Sequence, residues 1–547
     1  MTNLQKLTQY KPTKYMVYII YFIYFIYRKY MKVVIKSAAF LLILFMLIME
    51  IQKVLYFPTD TGLLEFTGIN DIHKYKNSYD VCFLGPSTSI SNICNQELYE
   101  EFGIAGVSAA VSQQPIYLTR YTLEEILKYQ SPQVVFLDTR SLFYYDTAER
   151  TMALENEPII HSSLDVINTL SIRKEALERV KSYNKNIDPF DYYSKLYYSH
   201  DNWKNITDKN FLSNDKANSI NGNVAFLDIA DNISNIYEAS PYRDVLDIRY
   251  NIEQDFSKMV KLCKEADVDL ILTMNYVNSF KAHHLAAKAL AKKYNVKYLN
   301  INEFIVKTGF QHNLDLRDSI HFNLSGAIKW THYLGEYLKN NYNFTDKRKD
   351  KSYQRYEEQR NILAEQKKFI YTKQSLLSVS SFYKYLKALN EIDLKENIIC
   401  ISINDDAMNH LSKVESDLLH DLGLNIDLKN KNGCSYAAVI SSEGVQEKYS
   451  FLNTVTLDGN INETSYEITS NGLQSSGSSS IIINDTETIQ NGKGFNFTIY
   501  NTKFDKITNS CFFDTSTSVN PPQSRYKTTA VTNIQQITEP NIWENLE

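Results

Sequence analysis

Ser87 ends the stretch Asp80-Val81-Cys82-Phe83-Leu84-Gly85-Pro86-Ser87, an apolar run stopped by Gly-Pro. Such a run reads as a buried strand cut short, with a hydroxyl standing at its carboxyl edge. Open α/β sheets bind ligands at that edge, and the amides of the turn after it can hold an oxyanion. A serine hydroxyl becomes a useful nucleophile only when a base takes its proton. The best base lies far downstream, in Asp315-Leu316-Arg317-Asp318-Ser319-Ile320-His321-Phe322-Asn323. Asp318 and His321 are three residues apart, near enough for the carboxylate to fix the imidazole tautomer while the other ring nitrogen faces Ser87. Ser89 is a rival nucleophile by proximity, and Asp315 a rival orienter. Taken alone, Ser87 reads as a turn serine and His321 as a capping or solvated histidine. It is the joint occurrence that points to acyl transfer.

The elements between the two stretches must bring them together. After Ser87, Asn95 followed by Gln96-Glu97-Leu98 reads as an N-cap with an acidic first turn, and Gly103 closes that helix. A small-residue strand over 106–111 follows, then an amphipathic helix opened by Gln114-Pro115 and running to Tyr129, then the strand Val134-Val135-Phe136-Leu137-Asp138. This alternation is that of a doubly wound parallel sheet. Over 144–240 the pattern loosens into helical stretches and tyrosine clusters with no clear strand, which reads as an inserted helical cap. The rhythm resumes with a helix around 252–263, strands at 268–273 and 296–301, a helix at 284–294, and a closing helix capped by Asn323 or Ser325.

Composition narrows the class. The 547 residues are 44% apolar and 13% aromatic, which excludes low-hydrophobicity disorder as an overall description. A net charge of -5 with no basic stripe speaks against nucleic acid as a partner. Residues 33–52 are nearly unbroken apolar sequence, long enough for one tilted transmembrane helix. Arg28, Lys29, Lys32 and Lys36 put the start, 1–32, in the cytoplasm and the bulk of the chain outside the cell membrane. A second apolar run over 15–27 is short for a span, and Met31 is expected to be the physiological start. The six cysteines form no metal-ligand spacing, and the adjacent His283 and His284 diverge on a helix, so neither metal nor cofactor is expected.

Leu84-Gly85-Pro86-Ser87 after a strand, Gln114-Pro115, the strand ending at Asp138, and Asp318-Ser319-Ile320-His321 before a terminal helix together resemble the SGNH hydrolase superfamily, over about 76–341. The nearest branch is the membrane-anchored one of the D-alanyl transfer protein of teichoic acid synthesis and the alginate-type O-acetyltransferases. The resemblance implies a flavodoxin-like sheet within 53–342, with Ser87 as nucleophile, His321 as base and Asp318 as its orienter. It also implies oxyanion or substrate donors, for which this chain offers only Gly106, Gln113 and Asn275, with Asn278 second to Asn275, because the usual glycine and Gly-x-Asn-Asp blocks are not matched. The implied partners are a cell-surface polysaccharide or teichoic acid, the lipid bilayer, and a membrane-bound O-acyltransferase delivering the acyl group. The competing class is an anchored, non-catalytic glycan-binding or assembly protein on a degenerate version of the fold.

Residues 343–375 are charge-rich and read as a linker or solvated helix. Beyond them, strands at 398–403, 436–440, 480–484 and 494–500, with helices at 382–389 and 411–422, read as a second α+β or β-sandwich-like domain over 376–517. Ile401-Ser402-Ile403-Asn404-Asp405-Asp406-Ala407, Ser435-Tyr436-Ala437-Ala438-Val439-Ile440, Gly494-Phe495-Asn496 and Phe512-Phe513-Asp514-Thr515 resemble the interleukin-like EMT inducer domain, also found in a glycosyltransferase stem. That resemblance implies carbohydrate docking, with a structural or protein-contact module as the alternative. The tail over 518–547 reads as polar and unstructured.

Overall fold

The structure, a computed structural model, describes residues 14–55, 68–143, 157–193, 195–206, 219–230, 248, 250–277, 281–379, 381–475, 477–488 and 492–516. The polar tail expected at 518–547, and Asn278, lie outside them. The chain divides into two compact units, 1–62 with 174–217, and 63–173 with 218–547. In the first, α1 (Lys14–Leu55) is one unbroken helix of 42 residues that joins the two apolar runs the sequence separates. No Gly or Pro interrupts the basic stretch between them. Its Tyr21–Gln52 stretch of 32 residues is long and apolar enough to cross a membrane. At its end the Leu55 carbonyl accepts a hydrogen bond from Asn202 Nδ2 at 3.0 Å.

The second unit begins with the parallel sheet. β1 (Val81–Leu84) leads to the short α2 (Ser87–Ser91) and to α3 (Asn95–Phe102). Then come β2 (Gly106–Ser108), α4 (Ile116–Tyr129) and β3 (Val134–Asp138). A two-residue hairpin, β4 (Ser219–Ile220) and β5 (Asn223–Val224), precedes α5 (Tyr250–Glu265), β6 (Asp269–Met274), α6 (Lys281–Tyr294), β7 (Lys297–Asn300) and α7 (Leu324–Asn341). The strand order is β2-β1-β3-β6-β7, all parallel, which is the 2-1-3-4-5 order of a doubly wound sheet. Val81, Phe83, Val134, Phe136 and Ile271 share one core with Leu98 of α3 and Trp330, Leu334 and Leu338 of α7. The intervening residues Cys82, Leu84, Val135 and Leu137 are equally buried on the opposite face, so these strands read as continuous apolar runs. The order reverses between β1 and β3, and Ser87 follows β1 at that switch point.

Two local expectations change. Asn95 is the first helical residue and not the cap: its amide donates to Asn223 Oδ1 at 2.8 Å, a cap supplied from the hairpin far along the chain. The stretch 144–240 is not purely helical, because the hairpin docks on the sheet edge, with the Ser108 amide bonded to Asn221 O at 3.1 Å.

α8 (Gln354–Leu377) follows, then α9 (Phe382–Leu389) and α10 (Lys413–Asp421) around β8 (Asn397–Asp405). α8 corrects the linker reading of 343–375. Leu363, Phe369 and Ile370 sit in the core of the parallel sheet, and the Tyr356 ring stacks on Tyr99 at 4.2 Å. Its charged face hides this in the composition. The remaining strands are β9 (Ser435–Ser441), β10 (Gly444–Ser450), β11 (Val455–Ile461), β12 (Thr464–Gly472), β13 (Ser480–Ile483), β14 (Thr486–Glu487), β15 (Gly494–Asn501) and β16 (Lys506–Phe513). They form a nine-stranded mixed sheet with β8. Ile399, Ile401 and Ile403 of β8 face α9 and α10, while Ile398 and Cys400 face a second core with β11, β12 and β13, which fold over the back of the sheet. β10, β11, β12, β14 and β16 are absent from the sequence reading, because β10 is largely exposed, β14 is two exposed residues, and the others carry Ser, Thr and Asn where apolar alternation would show.

Candidate active site

Gly85 turns the chain out of β1 with φ +140°. A Cβ there would stand 2.7 Å from Asp138 Cβ and 2.8 Å from Ser89 Oγ, so β1 and β3 can end side by side only around a glycine. Ser87 then opens α2, where its amide has no intrahelical acceptor. Thr88, next in line, donates its hydroxyl to Asp138 Oδ2, and the Arg140 amide donates to Asp138 Oδ1 at 3.0 Å. Burial pushes the Asp138 carboxyl up to about 6, against the Thr88 hydroxyl, the Arg140 amide and charge, and the Asn275 amide, which all favour the charged form.

The second half of the site is a tight loop before α7. Asp318 Oδ1 accepts from the amides of Ile320 at 3.0 Å and His321 at 2.9 Å, a local turn that the Asp-x-x-His spacing allows by itself. The Arg317 amide bonds His321 O at 2.9 Å, and Leu316 bridges Phe322. His321 Nδ1 lies 2.8 Å from Asp318 Oδ2. A carboxylate only accepts, so Nδ1 carries the proton and Nε2 is left as acceptor. Nε2 is 2.8 Å from Ser87 Oγ. Burial raises the Asp318 pKa, but the hydrogen bond and charge of His321 and the two loop amides outweigh it and hold the carboxyl well below the usual range. The serine is buried, and the imidazole keeps 15% of its surface exposed, which leaves a path to the pair. Phe226, from the segment after the hairpin, meets the imidazole edge to face at 6.0 Å, and the Arg317 guanidinium stacks on Phe226 at 3.8 Å.

Of the residues singled out in the sequence, Ser87, Asp318 and His321 are brought together. Gly106 is not: it pairs with Val81 at the amino end of β1, three positions before that strand ends, so parallel register keeps it from the carboxyl edge. Asn275 is buried just after β6, its Nδ2 toward Asp138 at 3.3 Å and its Oδ1 accepting from Trp330 Nε1 at 2.9 Å. Gln113 lies at the correct edge, in the turn after Val111, whose amide bonds Gly85 O, and its exposed side chain forms no hydrogen bond among the described residues. Ser89 Oγ donates to Leu84 O at 3.0 Å, and Asp315 pairs with Lys329 at 2.7 Å, so neither rival faces the imidazole. Asn92 and Phe226 carry no motif and went unnoticed in the sequence; Asp138 was read only as the end of a strand, without a role in the site, although its carboxyl-end position was the available signal.

Among the described residues no group of three His, Cys, Asp or Glu side chains is placed to hold a metal ion. A cavity of about 590 Å³, lined by Glu97, Glu101, Lys307, His332, Glu336 and Lys367, includes none of the three residues of the Ser87 pair and its orienter. No family model matches the chain, and no curated protein matches it. Twelve solved chains match it in a comparison of structures. One, a crystal structure from Bacteroides fragilis provisionally named an acylhydrolase, is 10% identical, is matched over 98% of its length and 52% of this chain, and superposes with a TM-score of 0.26. At that identity and score the likeness carries no weight for fold or activity.

Proposed function

We propose that the chain is a membrane-anchored serine acyltransferase or esterase of SGNH type, acting outside the cytoplasm on a cell-envelope glycan or teichoic acid. The observation that supports this reading is the continuous chain of hydrogen bonds from Asp318 through His321 to Ser87 Oγ, 2.8 Å at each imidazole nitrogen, at a sheet's switch point. In the first half-reaction His321 Nε2 takes the Ser87 proton as Oγ adds to the acyl carbonyl. The tetrahedral adduct then expels the donor's alcohol, which leaves with that proton, and an acyl-serine remains. In the second, Nε2 takes a proton from an acceptor alcohol or from water, whose oxygen attacks the acyl-serine, and the proton returns to Ser87 Oγ as the product departs, an ester from the alcohol or a free acid from water. Asp318 stabilises the imidazolium in both. The backbone amide of Ser87 and the Gln113 turn stand at the correct edge for oxyanion donation. The long apolar helix supplies an anchor, and the second sheet a surface for docking the polymer.

A second reading has its own observation. With Gly106 at the wrong end of β1, the expected glycine donor is missing, and Asn275 directs an N–H to Asp138, as in a fold retained for glycan binding after losing chemistry. Reaction of the full chain with a fluorophosphonate separates the two: covalent labelling that Ser87→Ala abolishes supports the enzyme, and labelling that persists in that variant, or never occurs, removes it.

A further inference from the structure

We propose that Asn92 is a positioning residue that sets the distance between Ser87 and His321. The inference rests on reading those side chains as nucleophile and base. Asn92 follows α2, five residues after Ser87, and is fully buried. A carboxamide has two N–H donors and an oxygen with two lone pairs, and here all four are used. Nδ2 donates to Asn275 O at 2.6 Å and to Ile320 O at 2.9 Å. Oδ1 accepts from the Phe322 amide at 2.8 Å and from Ser91 Oγ at 2.7 Å. Ile320 and Phe322 are the residues on either side of His321. One side chain therefore grips the base loop on both flanks, ties it to the carboxyl end of β6, and carries the whole assembly on the helix that Ser87 opens.

The Asp318–His321 pair needs no such help, since its turn closes on itself within four residues. The Ser87–His321 contact joins residues 234 apart, and Asn92 is the polar side chain that spans the same gap. Only asparagine suits this position. Aspartate would set an oxygen against the Asn275 and Ile320 carbonyls, and leucine would take this partner from both carbonyls and from the Phe322 amide. Removing the clamp leaves the imidazole correctly oriented by Asp318 but no longer held against the serine, and small displacements of that kind are costly to reaction.

The test compares Asn92→Asp with Asn496→Asp, an asparagine of the second sheet that is equally buried and bonded to loop backbone at Gly492 and Gly494. In folded Asn92→Asp protein the downfield proton resonance of the His321–Asp318 bond is expected to persist, while the rate constant for fluorophosphonate labelling of Ser87 falls about tenfold to a hundredfold. Asn496→Asp is expected to label at the wild-type rate. Labelling of Asn92→Asp within about twofold of wild type, equal slowing in both variants, or loss of the downfield resonance would each overturn the proposal. Should Asn92→Asp fail to fold, hydrogen exchange in the wild-type protein decides: a Phe322 amide protected like the strands of the parallel sheet supports the clamp, and exchange at the rate of an open loop refutes it. Wild-type protein that never labels tells against the nucleophile itself, and the Phe322 arm still judges the clamp.

Discussion

Ser87 and Ser470 are both buried serines, one at the end of the parallel sheet and one in the mixed sheet, and their surroundings differ in kind. Ser470 Oγ donates to Ile403 O at 2.7 Å and accepts from the Tyr436 amide at 2.8 Å, so its hydroxyl is closed between backbone groups of neighbouring strands. Ser87 Oγ is bonded to an imidazole whose other nitrogen is held by a carboxylate. Burial of a polar residue is therefore not the mark of a site. In the mixed sheet the buried Ser and Asn side chains satisfy one another and the backbone, which specifies packing. In the parallel sheet the carboxyl ends of β1, β3 and β6 converge with the His321 loop, and titratable groups end in reach of a hydroxyl.

The contrast is sharpest for the two serines themselves. Ser87→Ala is expected to abolish fluorophosphonate labelling outright, whereas Ser470→Ala should label normally and lose about 1–3 kcal/mol in urea unfolding, the cost of unpaired buried groups. Equal effects on both would erase the distinction. Next in size, His321→Ala should reduce acetate release from p-nitrophenyl acetate on the order of 10³-fold, and Asp318→Asn by a similar factor through the wrong tautomer. Unchanged release would place the catalytic centre elsewhere. Gly85→Ala should then destabilise the chain by roughly 1–3 kcal/mol, because a Cβ meets Asp138 at a backbone conformation that L residues avoid; urea midpoints within error of wild type would mean the two strand ends are not so close.

The two aspartates of the site pull stability in opposite directions with pH. Asp138, raised to about 6 in the fold against about 3.9 in an unfolded chain, contributes stability that is complete below about pH 4 and lost as pH rises through about 6. Asp318, depressed in the fold, contributes stability present above about pH 4 and lost as pH falls through its lower folded value. Asp138→Asn should therefore gain thermal stability relative to wild type as pH goes from 4 to 7, and a melting-temperature difference that stays flat over that range would mean the carboxyl is not buried. The smallest effect belongs to the exposed ion pair of Lys506 in β16 with Asp228, two residues after Phe226, at 3.0 Å. Lys506→Ala should cost less than about 1 kcal/mol by urea unfolding, as solvated pairs do.

Much of the parallel sheet is visible in the chain because its strands are buried on both faces and its helices carry clear stops, as with Gly103 in the left-handed conformation after α3. The mixed sheet is half visible. β8 and β15 are apolar enough to read, while β10, exposed along most of its length, has nothing to bury and no pattern to show. α8 misleads for the opposite reason, since its charges outnumber the few side chains that reach the core. In the site, Gly106 was expected near the serine as the glycine donor that the resemblance implies, and parallel register sends it to the other end of its neighbour.

The Asp318-x-x-His321 turn, the strand that stops at Gly85-Pro86 and the apolar amino-terminal helix follow from local residue order, because each depends on interactions spanning a few residues. That the serine meets this histidine, that Asn92 clamps the loop and that Asp138 stands against Thr88 depend on which strand lies beside which. Those neighbours are chosen by packing the whole sheet between its helices, and no short stretch of chain holds that information.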